Sequence, residues 1–221
     1  MGRGVGKVLD GLFPGETVLV EYKAYSSPEL LLALLQNYSF VKGRSLLVDD
    51  VVDTFPEYIM RLKLMGFDVE GLLHASVIKI GGSSEVGNVK GMLDVDKYRL
   101  DFKYYDAIYK NLDLGETIIN PVLGIYRLFG LFNRRELMRL LRNIAGFVGR
   151  GSRVAFYFMN EDAVKELSPE MLPFLEEISS SIFRWGREGI NYRLDVLKAC
   201  DESIIGTSVV MEMGEIREGK L

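Results

Sequence analysis

The residues with chemistry to offer gather at a few turns. Tyr22-Lys23-Ala24-Tyr25-Ser26-Ser27-Pro28-Glu29 follows the apolar run Val18-Leu19-Val20 and leads into the very apolar stretch Leu30–Leu35. Strand, turn and helix in that order bind phosphate when the turn is glycine-rich and ends in Lys and Ser/Thr. The glycines let backbone N–H groups curl around the phosphates, the lysine adds charge and the hydroxyl holds Mg²⁺. This turn has no glycine and no lysine at its end. The loop Gly81-Gly82-Ser83-Ser84-Glu85-Val86-Gly87-Asn88 has glycines at a phosphate-loop spacing, but Asn88 and Val89 stand where Lys and Ser/Thr are needed; turn chemistry is the plainer reading. Gly2–Lys7 also looks like such a loop. It has no strand before it and no Ser/Thr after the lysine, and reads as a flexible terminus.

Other chemistries are bounded by composition. One cysteine, Cys200, excludes an internal disulfide and a zinc cluster, and one histidine, His74, excludes a His-pair metal site. His74 reads as a loop or partly buried histidine. The net charge of −4 argues against a dedicated nucleic-acid binder. Tyr98, Phe102, Tyr104, Tyr105 and Tyr109 could stack on bases, but Asp94, Asp96, Asp101 and Asp106 between them would repel phosphate, and packing is the commoner use of such aromatics. Arg135, Arg139 and Arg142 could meet an anionic partner or simply form a solvated helix face. The 221 residues are 48% hydrophobic and 26% charged, as in an ordinary globular chain. With no secretory signal and no apolar run long enough to span a membrane, the expected setting is cytoplasmic.

These residues must be positioned by the elements around them. Near-continuous apolar runs predict buried strands at 17–21, 45–48, 76–80, 117–120 and 153–159, separated by segments with helical period. Thr54 is the expected cap of a helix over 54–66, with Pro56 in its first turn and Gly66 ending it. Part of 92–111 should be strand before 104–112 turns helical. Asn133 and Glu136 have the spacing of a capping box for a helix over 133–149, whose apolar stripe is Leu137, Leu140, Leu141, Ile144, Phe147 and Val148. Gly149 and Gly151 should end it. Residues 160–177 read as helix with a restart at Ser168-Pro169. Strand-like segments at 181–185, 191–198 and 207–213 look like antiparallel additions. Residues 1–14 read as a lead-in, 15–213 as one domain and 214–221 as a tail.

The order of features resembles the RecA/KaiC-like branch of P-loop ATPases over roughly residues 5–213, and a small archaeal family with a degenerate form of that fold. Asp10–Gly15 correspond to that branch's lead-in, Thr17–Glu21 to its first strand, Tyr22–Glu29 to its phosphate loop and Leu30–Gln36 to the helix after it. Leu46–Asp50 correspond to the strand that ends near an acid, and Thr117-Ile118-Ile119-Asn120 to the Walker B strand. The resemblance implies an α/β, three-layer fold, with a mainly parallel central sheet, helices on both faces and antiparallel C-terminal strands. It places Ser27 at the last glycine, Pro28 at the lysine, Glu29 at the Mg²⁺-binding hydroxyl and Asn120 at the Walker B acid. Lys23 comes too early to replace the lysine. Lys198-Ala199-Cys200 keeps the lysine of the family's Lys-x-Arg and has Cys for its arginine. Phosphoryl transfer depends on these groups, so neither ATP binding nor catalysis is expected, and no cofactor or metal.

Two functions remain in view. One is a non-catalytic KaiC-like domain with a lost nucleotide site, working in protein–protein interaction, self-association or regulation. The other is a small-molecule-binding protein or enzyme with a non-nucleotide ligand at the carboxyl ends of the parallel strands, where open α/β sheets bind ligands. Tyr22, Lys23, Tyr25, Ser26, Ser27, Asp49, Asp50, Asn120 and Asn160 would line that edge, or merely close the top of the sheet.

Overall fold

The computed structural model describes residues 4–95, 102–115 and 117–221. Its centre is a sheet of nine strands among the described residues, in the order β4-β3-β2-β5-β6-β1-β7-β8-β9. The strands are β1 (Thr17–Tyr22), β2 (Ser45–Val51), β3 (Ser76–Ile80), β4 (Asn88–Leu93), β5 (Ile118–Leu123), β6 (Arg153–Asn160), β7 (Ser181–Glu188), β8 (Asn191–Lys198) and β9 (Ser208–Met211). All neighbours from β4 to β7 pair in parallel; β7–β8 and β8–β9 are antiparallel. The first C-terminal strand therefore extends the parallel sheet, Val18 pairing with Ser181 and Tyr22 with Trp185, and only the last two reverse.

Alternation along the strands splits the core in two. Val18, Val20, Val48, Phe156, Phe158 and Trp185 face α1 (Val5–Asp10), α2 (Glu29–Lys42), α3 (Thr54–Leu64), α4 (Glu70–Leu73) and α9 (Met213–Arg217). Leu19, Leu47, Ile78, Val122 and Tyr157 face α5 (Phe102–Lys110), α6 (Arg134–Ala145), α7 (Glu161–Leu167) and α8 (Met171–Ile178). Among the described residues this second layer stops at β7. The outward face of β8 and β9 is bare, with Leu197 and Val210 each about half exposed. No helix among the described residues is long and apolar enough to cross a membrane.

Several sequence expectations change. Strand β2 runs three residues past Val48, through two acids, and β5 three residues past Asn120. Strand β4 lies in what read as loop and the start of an alternating segment; the expected positions Asp96, Tyr98, Leu100 and Asp101 lie outside the described residues, as does the Phe102 side chain. Thr54 is the first helical residue, not the cap; Asp53 holds the cap position in a left-handed conformation (φ 57°) without a side-chain bond to the helix, and Asp50 accepts from Phe55 N instead. The capping box at Asn133–Glu136 forms, but α6 ends at Ala145, before Gly149, and Val148 is 39% exposed. The second helix after Asn160 begins at Met171 with Glu170 as its cap, rather than at Ser168-Pro169. Val5–Lys7 are helical, and Val5 is fully enclosed. His74 is exposed at the end of α4, 3.9 Å from Glu70.

Candidate functional site

The turn from β1 into α2 is closed from within. Lys23, at the end of β1, holds Glu161 at 2.9 Å and Asp162 at 3.0 Å. Both acids stand in the first turn of α7, which Asn160 caps by accepting from the Asp162 and Ala163 N–H groups. The other Asp162 oxygen accepts from Ala24 N at 3.3 Å. A carboxylate thus engages the turn's lysine and one of its backbone donors. Hydrogen bonds first to Glu161 and then to Asp162 raise the Lys23 pKa above the ordinary value.

The turn's carbonyls are engaged too. Trp185 Nε1 donates to Ser26 O at 2.7 Å and reaches Ser27 O at 3.2 Å. Ser26 is fully buried, and Ser27 adopts φ 47°, a left-handed conformation that costs a residue other than glycine about 1 kcal/mol or more. Leu30 N and Leu31 N bond back to Ser27 and Pro28. At the start of α2, where a helix N-terminus would attract an anion, the Glu29 carboxylate faces its own backbone N–H and lies 3.4 Å from Arg61. Burial raises the Glu29 pKa against those two opposing contacts. Tyr22 and Tyr58 meet hydroxyl to hydroxyl at 3.2 Å beneath this layer, and Tyr25 points to solvent, 69% exposed.

The remaining candidates lie inside the sheet instead of at its edge. Asp49 faces α5 and accepts from Tyr105 Oη at 2.7 Å; that hydroxyl accepts in turn from Arg153 Nη1 at 2.9 Å. Burial pushes the Asp49 carboxyl up to about 6, opposed by Arg153, Tyr105 and Asn120. Asp50 faces the other way, accepting from Phe55 N at 2.8 Å and from Lys79 Nζ at 2.9 Å. Lys79 is fully buried and also holds Asp53 at 2.7 Å, whose carboxylate takes the Ser83 and Ser84 N–H groups. Asn120 is buried mid-strand. The β2–β5 register runs through Leu46–Ile119 and resumes at Asp49–Val122; between them Pro121 has no N–H to give the ladder. Asn120 Nδ2 donates to Leu47 O at 2.8 Å in its place, and Asn120 Oδ1 accepts from Arg153 Nη1 at 2.7 Å. The side chain thereby spans the gap that Pro121 leaves in the ladder.

The structure therefore brings Tyr22, Lys23, Ser26, Ser27 and Asn160 to one strand end and keeps Asp49, Asp50 and Asn120 away from it. Between β2 and β5, whose following helices cover opposite faces, the crevice is shut. A Cβ at Gly124 would overlap the Thr54 hydroxyl, and Arg127 bonds Val52 O and both Glu57 oxygens. An open cavity of about 490 Å³ lies farther along the carboxyl ends, lined by Val52, Gly81, Gly82, Met92–Val95 and Leu131. Sequence reasoning missed Asp162, Trp185, Lys79 and Arg153. A lysine inside the apolar run Val77–Ile80, and an arginine opening another such run, were the available signals, since a buried cation needs a partner.

The family described as Pyrococcus protein of unknown function, DUF257, matches residues 7–210. Among curated proteins, none matches the chain. A protein from Pyrococcus horikoshii OT3, PH0250, is 36% identical, with a TM-score of 0.84 over 94% of this chain and 98% of that one. The KaiC-like protein PH0186 from the same organism is 12% identical, with a TM-score of 0.59 over 94% and 89%. PH0321 from Pyrococcus horikoshii, solved in complex with an unknown peptide, is 18% identical, with a TM-score of 0.57 over 85% and 86%. The likeness to the last two shows a RecA/KaiC-like fold.

Proposed function

The chain belongs to the DUF257 family, and from that premise and its KaiC-like fold we propose a non-catalytic domain that works through a protein partner, its nucleotide site closed. One observation carries the reading: the Asp162 carboxylate occupies Lys23 and the Ala24 N–H, a cation and a backbone donor of that turn. Pro28 and Glu29 add the loss of the lysine and the Mg²⁺-binding hydroxyl that the resemblance places there. Each lost charge-assisted hydrogen bond to a triphosphate is worth roughly 1.5–3 kcal/mol, and about 1.4 kcal/mol is tenfold in affinity. A protein partner is supported by the bare outer face of β8 and β9, where Leu197 and Val210 flank the Arg193–Asp195 pair, and by the peptide bound to the fold relative PH0321.

Calorimetry with Mg-ATP, backed by a phosphate-release assay, tests the closed site. The expected result is no heat of binding and no release. Micromolar binding abolished by Ser26→Ala/Ser27→Ala would overturn it. Capture of a partner that survives in wild type and fails in Leu197→Arg/Val210→Arg tests the surface.

A second reading has its own observation. The 490 Å³ cavity at the ends of β2, β3 and β4 is within the size range of small-molecule sites and favours a non-nucleotide ligand there, displaced from the Ser26–Ser27 turn.

A further inference from the structure

The opposite edge of the sheet, at the amino ends of β2 and β3, holds a cleft of about 290 Å³ between the end of α2 and α4. From it we propose a binding site for a small aromatic carboxylate, independent of the closed nucleotide turn. The cleft is rich in donors and poor in acceptors of charge. Ser39 is 2% exposed, and its hydroxyl has no partner among the described residues. A buried hydroxyl without a partner costs on the order of 1–3 kcal/mol, so it marks a place a ligand acceptor would fill.

Arg44 supplies the charge. Its guanidinium lies 5.5 Å from the Tyr38 ring centre and 3.3 Å from the Tyr38 hydroxyl. That contact fixes the side chain and uses one of its five N–H donors. Gln36 is held by close packing, because a Cβ on Gly71 would overlap its amide. His74 completes the polar rim, and among the described residues no Asp or Glu lines the cleft; the acids beside it are Glu70, 3.9 Å from His74, and Asp10, which pairs with Lys42 and accepts from the Tyr38 hydroxyl that Arg44 contacts. In a chain with a net charge of −4, that makes a local site for an anion.

The shape and the field narrow the class. Phe40, 79% exposed, stands as a bare aromatic wall over a floor that includes Leu46 and Ala75, suited to stacking a flat ring. The site lies at the carboxyl end of α2, the negative end of its dipole. That field opposes any anion, a doubly charged phosphate more than a planar monoanion, which the arginine can hold in a two-pronged pair.

His74 is the only histidine in the chain, so its ring protons give isolated NMR signals that report on the cleft. At fixed pH, phenylacetate should shift them in a saturable way at low-millimolar concentration. Phenylacetamide, acetate and inorganic phosphate should each bind at least about tenfold more weakly. Arg44→Gln should weaken phenylacetate binding by a similar factor and Arg44→Lys by less. Phe40→Ser should weaken phenylacetate and leave acetate unchanged. Ser39→Ala should keep the fold, since its hydroxyl has no partner to lose, and weaken the carboxylate. Unchanged His74 signals with phenylacetate, equal binding of the amide, tighter binding of phosphate, or indifference to Arg44→Gln in a folded variant would each overturn the proposal. So would a response only to a peptide C-terminus, which would make the cleft a protein-docking site.

Discussion

Asp49 carries the most consequential side-chain environment. It sits wholly inside the sheet layer, linked to Arg153 through the Tyr105 hydroxyl. Burial holds its carboxyl at about 6, against the ordinary 3.8. Between those two values the folded chain keeps a proton that the unfolded chain has lost. Folding then takes up a proton, and stability contributed by this group falls as pH rises from about 4 to about 6. The full change is on the order of 3 kcal/mol at about 1.36 kcal/mol per pKa unit. Asp49→Asn should abolish that slope, so the wild-type advantage over the variant should shrink across the window in urea unfolding at several pH values. An advantage that grows with pH would mean Arg153 outweighs burial and Asp49 is charged throughout. Glu21, pushed up to about 7 by burial, with Arg184 opposing and Glu176 adding to the rise, contributes a slope of the same sign in both proteins and cancels in the comparison.

At the level of elements, α6 is the one whose ends and faces follow from local rules. Asn133 accepts from Arg135 N and Glu136 N, while Glu136 accepts from Asn133 N. Leu137, Leu140, Leu141 and Ile144 are enclosed, and Arg135, Arg139 and Arg142 are exposed. Leu141→Ala should cost about 2–5 kcal/mol. The triple change of those arginines to alanine should stay within about 0.5 kcal/mol. Chemical denaturation of both variants decides whether the basic side is a plain solvated face; a large loss from the arginines alone would make it an interface within the fold. Strand β4 is the contrasting element. Its exposure alternates only weakly, and Gly91 is where the Ile108 side chain of α5 packs, so its pairing is set by a segment later in the chain.

Across the whole molecule the two ends of the chain meet. Val5, Val8 and Leu9 of α1 are each 1% exposed, Gly4 and Gly6 lie against Leu221, and Asn37 Nδ2 donates to Gly219 O at 2.6 Å. Burying such a side chain is worth roughly 1.5–3 kcal/mol, and three together are a large part of a typical stability. Deleting residues 1–11 should therefore lower the unfolding temperature sharply. Trp185, the only tryptophan, lies under the β1–α2 turn, stacked 5.8 Å from Tyr192. Its fluorescence and the far-ultraviolet dichroism should change together on heating. An unchanged transition in the truncated chain would make the lead-in an appendage.

What the sequence determined by itself was the set of elements built from local pattern. The apolar runs of β1, β3 and β6 and the capped, striped α6 carry their own period and end signals. The make-up of the β1–α2 turn is equally legible, since residue type alone puts neither a lysine nor a hydroxyl at Pro28 and Glu29. What only the tertiary structure decided was the placing of charge. Asp49, Asp50 and Asn120 looked like edge residues because an acid or amide ordinarily ends a buried strand. They continue the strands instead, because Arg153, Tyr105 and Lys79 arrive from distant parts of the chain to meet them. A buried polar group is costly without a partner, and partners from other strands and helices leave no trace in local periodicity. The same holds for the contacts that fill the β1–α2 turn, since Asp162 and Trp185 reach it only once β6 and β7 have paired on either side of β1.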